Sequence, residues 1–170
     1  MSVRLERIVS GGQTGVDRAA IDVAISLNVA CGGWCPRGRR AEDGRISDRY
    51  PLQEMASPSY SSRTIENVTD SDGTLILTVG KIAGGTLLTK NVARTRQKPC
   101  LVINLKKPPE LALVQDWLEK NAIRVLNVAG PRASQTPEAY RLAAGFLLRV
   151  LSSGAKGKQA ERRPSRRVVL

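Results

Sequence analysis

Apolar and polar positions fall into alternating blocks along the chain, and the blocks predict strands and helices in turn. Residues 4–10 read as a short buried strand, and the apolar spacing over 16–27 predicts the helix after it. A second short strand is expected at 29–34. Residues 36–58, "PRGRRAEDGRISDRYPLQEMASP", are polar with little periodicity and read as one long loop, of the length that carries function or is disordered. A helix follows over 60–70. "TLILTV" at 74–79 is continuously apolar, as in a strand covered on both faces. A helix over 87–97, a strand over 100–104, a helix over 109–121, a strand over 125–129 and a helix over 136–151 complete the pattern. Strict alternation with two-faced strands predicts an α/β fold of three layers, built on a mainly parallel sheet of about five strands.

The glycines fall where these blocks change. "GGQTG", Gly11 to Gly15, separates the first strand from the first helix, and "GGT", Gly84 to Thr86, precedes the helix after the third strand. Glycine lets another group approach bare backbone, and free amides at a helix start favour an anion. Thr14 and Asp17 have the spacing of a capping box. Ligands of open α/β sheets sit beyond the carboxyl ends of the strands. That edge collects both glycine loops, the arginine-bearing "CPRGRRAEDG" and the loop "AGPRAS". A phosphate or other anion held by helix amides and guanidinium groups is one reading of this edge, and tight strand-to-helix turns are the other. Neither loop is a Walker loop or a G-x-G-x-x-G fingerprint, so ATP and NAD are not indicated.

Composition narrows the chemistry. A chain of 170 residues suits one domain, here 1–153, followed by a basic tail over 154–170, "GAKGKQAERRPSRRVVL". The tail accounts for six of the 27 Lys and Arg behind the net charge of +12, so weak attraction to polyanions is expected of it. With 4% aromatic residues the chain lacks base-stacking platforms for sequence-specific nucleic-acid binding. There is no histidine, which removes Ser-His and Cys-His pairs and histidine metal sites. No metal site is expected. Cys31, Cys35 and Cys100 read as packing residues in a reducing compartment. No stretch is apolar enough for a secretory core or a membrane span, so cytoplasmic location is expected.

In order, "SGGQTGVDRAAID", "GGWCPRGRRAEDG", "Y..RT..NV.DSDGTLI", "GGT" and "LNVAGPR" resemble the molybdenum cofactor carrier family over roughly residues 5–150. The resemblance implies a Rossmann-like fold, related to phosphoribohydrolases once labelled lysine decarboxylases. It also implies a homo-oligomer, often a tetramer, which holds molybdopterin without changing it and meets molybdoenzymes as partners. Carried over, Gly11, Gly12, Gln13, Thr14 and Gly15 would face the ligand phosphate, and Gly84, Gly85 and Thr86 would form a second wall. Arg37, Arg39 and Arg40 would reach in from the long loop, with Arg63 nearby. Each arginine has a second reading, as a solvated surface charge or, for Arg63, as the partner of Asp70 or Asp72. These two aspartates read first as turn caps. The related hydrolases carry P-G-G-x-G-T-x-x-E, and here Thr89 falls where the glutamate stands. No catalytic residue is therefore expected. The alternative is an N-glycosidase acting on a nucleoside monophosphate, with Glu66, Asp70 or Asp72 supplying the carboxylate.

Overall fold

The structure, a computed structural model, describes residues 5–156, with side chains placed through residue 152. The central sheet uses β1 (Arg7–Val9), β2 (Ala30–Gly32), β7 (Gly73–Thr78), β8 (Cys100–Asn104) and β9 (Val125–Ala129). Its order is β2-β1-β9-β7-β8, and every pairing is parallel. Ile8 lies opposite Leu126, and Leu75 opposite Val128, at the centre. All six residues of β7 are buried, as its unbroken apolar run requires. Truncating Leu75, Ile76 or Leu77, each fully buried, costs about 2–5 kcal/mol per side chain.

Helices cover both faces of this sheet. The α1 helix (Val16–Ser26) joins β1 to β2, and α3 (Gly84–Thr95) joins β7 to β8 in the opposite direction along the sheet. Right-handed crossovers therefore put α1 and α3 on opposite faces. The α4 helix (Leu111–Lys120) and α5 (Ala139–Lys156) share the main core with α1, while α2 (Tyr60–Thr69) packs on α3. The three-layer α/β fold expected from the pattern, Rossmann-like as the resemblance implies, is the fold observed. No helix among the described residues is long and apolar enough to cross a membrane.

Three local expectations need correction. The predicted second strand splits at Gly33 into β2 and β3 (Trp34–Cys35), and β3 pairs with β6 (Gln53–Glu54) instead of joining the main sheet. A Cβ on Gly33, whose φ is +131°, would meet Ser10 O at 2.2 Å, so only glycine fits this crossing. The long loop is ordered. It contains β4 (Arg40–Ala41), β5 (Gly44–Arg45) and β6, and seats Ile46, Tyr50 and Leu52 on Ile21 and Cys35 as a second small core. Finally, α3 begins at Gly84, three residues before its apolar spacing, and α5 runs to Lys156. The rest of the basic tail lies outside the described residues.

The capping box is not formed. Val16 N–H donates to Pro131 O at 3.2 Å, and Gly15 is the N-cap residue without a side-chain cap. The Thr14 side chain is engaged instead with Ala133 N, from which it accepts, and with Glu42, to which it donates. The three cysteines are free thiols, with Cys35 buried and the other two half-buried.

Candidate functional site

Beyond the carboxyl ends of β1, β9 and β7 lies a cavity of about 390 Å³. Four segments wall it. The first loop and α1 bring Gln13 and Asp17, and the start of α2 brings Tyr60, Arg63 and Thr64. The start of α3 brings Gly84, Gly85, Thr86 and Thr89, while the β9–α5 loop brings Gly130, Arg132 and Gln135. The ends of the central strands meet here because β9, the last strand of the chain, is inserted between β1 and β7.

The α3 wall presents bare backbone. Ala83 caps α3 without a side-chain bond, and the amides of Gly84 and Gly85 donate to no group among the described residues. A Cβ on Gly85 would meet nothing within 4 Å, so this backbone stands open. Two unpaired amides at a helix N-terminus are the local chemistry of an oxyanion site. Across the cavity, Gln13 is 3% exposed. Its Oε1 accepts from Thr14 N at 3.1 Å and Glu42 N at 2.9 Å. Two backbone donors fix the amide's orientation, and its Nε2 is buried with no partner among the described residues. A buried donor left unpaired is costly. Arg132 adds a positive charge on the wall, its guanidinium 4.7 Å from the Tyr60 ring centre.

The first glycine loop is arranged differently. The guanidinium of Arg63 crosses Gly11, its Nη1 within 1.4 Å of where a Cβ would stand. Gly12 admits Leu52, and Gly15 admits the carbonyl of Pro131. Each of these glycines thus makes room for the protein itself. Asp17, 4% exposed, supplies the loop's anion: its Oδ2 accepts from Arg63 Nη1 at 2.9 Å, and Gln13 also donates a backbone hydrogen bond to the carboxylate. Burial pushes its carboxyl above the ordinary range, against the pull of Arg63 and Gln13. Of the five first-loop residues, only Gln13 lines the cavity, whereas Gly84, Gly85 and Thr86 all do.

The arginines separate in the same way. Arg63 lines the cavity, but Arg37, Arg39 and Arg40 do not. Arg37 and Arg40 are exposed. Arg39 is 7% exposed and turned into the long loop, where it donates to Ile46 O, Leu52 O, Ser47 O and Tyr50 O at 2.8–3.0 Å. Ser47 O and Tyr50 O also accept from Tyr50 N and Leu52 N, so one guanidinium ties the carbonyls of this turn together, and Arg39 organises the loop that was expected to present it. Arg63 pairs with Asp17, not with Asp70 or Asp72. Asp70 accepts from the Trp34 indole at 2.7 Å, and Asp72 caps the amides of Arg124 and Val125. Neither these two nor Glu66 lines the cavity, where Asp17 is the carboxylate. Thr89 does line it, and its hydroxyl donates to Gly85 O at 2.9 Å. Arg132 and Tyr60 were missing from the expected site residues. The signal for Arg132 was its place in "AGPRAS", at the ligand edge of the fold.

A model of the circularly permutated YpsA SLOG family matches residues 8–151. The chain belongs to this family. Among solved structures, the chain is similar to "Putative molybdenum carrier protein" from Syntrophus aciditrophicus SB. The two share 47% identity at a TM-score of 0.83, over 86% of this chain and 94% of that one. None of the curated proteins compared matches the chain. The family match runs from β1 into α5 and so spans all four walls of the cavity.

Proposed function

We propose that this SLOG-family chain is a carrier that holds a small phosphorylated ligand, the phosphate of molybdopterin, without transforming it. The observation that carries the reading is the open α3 N-terminus: Gly84 and Gly85 offer two unpaired amides to a cavity that Arg132 makes positive and Gln13 leaves one donor short of a partner. A phosphate oxygen satisfies all three needs. At about 390 Å³ the cavity is within the range of small-molecule sites. The Tyr60–Arg132 pair gives a flat, charged surface suited to a planar heteroaromatic ring. The 47% identical protein named as a molybdenum carrier supports the choice of ligand.

What lines the site supports the reading of transport without chemistry. Thr89 has a hydroxyl whose pKa lies far above neutral, engaged with Gly85 O, so it is no carboxylate base. Asp17 is committed to Arg63. One observation favours the second reading, an N-glycosidase on a nucleoside monophosphate: a buried carboxyl with a raised pKa is a group that could protonate a departing base. Incubation with AMP separates the two. The carrier reading expects no adenine above the uncatalysed rate, and native mass spectrometry of gently purified protein is expected to reveal a bound pterin mass. Adenine release that Asp17→Asn abolishes would replace the carrier with the enzyme.

A further inference from the structure

The β4 and β5 strands form an antiparallel hairpin with Glu42 and Asp43 at its two-residue tip. The tip is exposed, yet it is pinned to the edge of the site. Asp43 pairs with Arg18 at 2.6 Å, and Glu42 N donates to Gln13, a wall of the cavity. The Glu42 carboxylate rests on donors from two different loops. Its Oε1 accepts from Ser134 N at 3.1 Å and from the Thr14 hydroxyl, and its Oε2 accepts from the Ser134 hydroxyl. The Thr14 oxygen itself accepts from Ala133 N at 3.1 Å, which turns its proton toward Glu42. Arg132, on the cavity wall, adds an attractive charge to the same carboxylate.

These groups have the chemistry of an oxyanion seat: one amide and two hydroxyls converge on one carboxylate. We propose that the seat, which adjoins the lining residues Gln13, Arg132 and Gln135, is a second anion subsite beside the cavity, occupied in the free protein by Glu42 and taken over by a second oxyanion group of the ligand. The inference rests on the carrier reading of the cavity and adds to it. The α3 amides hold one phosphate-class group, and the Ser134–Thr14 seat holds another. A ligand carrying both displaces Glu42 and lifts the β4–β5 hairpin. A ligand with only one occupies the α3 end and leaves the hairpin down. Glu42, being tethered, competes at high effective concentration, so the chain favours ligands that engage both ends.

The test is calorimetric titration with inorganic pyrophosphate as the probe, on the whole chain and on Glu42→Ala, Glu42→Gln and Glu42→Ala/Ser134→Ala. Removing an internal competitor is expected to tighten pyrophosphate binding by about tenfold in Glu42→Ala. Glu42→Gln, which keeps the size and loses the charge, is expected to fall between it and the parent. The double variant is expected to return most of the gain, since Ser134 then lacks its hydroxyl. If Glu42 merely fastens the hairpin, both single variants bind as the parent does or more weakly, and the proposal fails while the cavity reading stands. A gain that persists in the double variant also overturns it. Absence of pyrophosphate binding in the parent and in every variant would overturn the cavity reading and this proposal together.

Discussion

Gly12 and Gly85 look interchangeable in the sequence, each a glycine ahead of a helix, but substitution separates them. Gly12 has φ +74°, and its Cβ would stand 2.3 Å from Leu52 Cδ1. Gly12→Val costs about 1–2 kcal/mol for the left-handed backbone and about 1–3 kcal/mol for overpacking. Thermal unfolding is expected to register a lowered midpoint. Gly85→Val meets no clash and needs no unusual backbone, so its midpoint is expected to move little while pyrophosphate binding is lost. Equal affinity in the parent and Gly85→Val would return the α3 loop to a plain turn. Asp17→Asn tests the buried pair with Arg63. It leaves Arg63, 13% exposed, without its counter-charge, and loss of one partner of a buried pair costs about 3–5 kcal/mol. Urea denaturation measures this. What was hidden at this scale was partnership: a sequence names Arg39, Arg63 and Asp17 but not which carbonyl or charge each one meets.

At the scale of elements, legibility followed the length of the apolar run. The β8 and β9 strands match their expected bounds, since four and five consecutive apolar or buried positions leave few alternatives. The two-residue strands β3 to β6 have no period to read, so the hairpin that touches the site was invisible. The α3 helix was shortened in expectation because Gly84 and Gly85 read as punctuation, although they form its first turn. The hairpin also gives a pH dependence. Burial works to raise the Glu42 carboxyl, but its bonds from Ser134 and Thr14 and the charge of Arg132 outweigh that and leave it below the ordinary 4.5. The Arg18 hydrogen bond holds Asp43 below its ordinary 3.8. A depressed carboxyl stabilises the fold above its unfolded pKa, and the contribution is lost as pH falls through the folded value. Asp17 has the opposite sign. Its raised carboxyl favours the fold at low pH and ceases to do so as pH rises through its folded value. Acidification below the ordinary carboxylate range is therefore expected to release the hairpin before the domain unfolds. Amide exchange would accelerate over residues 40–46 while β7 stays protected. Simultaneous loss of protection in both would refute a hairpin that opens on its own.

At the scale of the molecule, two parts with different physics share one chain. Among the described residues, the cluster that joins the sheet to α1, α4 and α5 reaches Val150, with Leu151 packed against it. Residues 157–170 then add five Lys or Arg against one Glu, with three short apolar side chains, Ala160, Val168 and Val169, before the final Leu170. Deleting them is expected to leave the thermal midpoint and the pyrophosphate affinity unchanged, because every described wall of the cavity and every described member of that core is kept. Binding to duplex DNA should respond instead. Each phosphate neutralised contributes about −0.9 to the slope of log K against log salt, so loss of several cations should flatten that slope as well as weaken binding. The slope is the sharper measure, since it counts phosphate contacts rather than total affinity. A truncated chain that kept the full slope would place the polyanion surface on the domain, among cations such as Arg37 and Arg40 that are exposed and do not line the cavity.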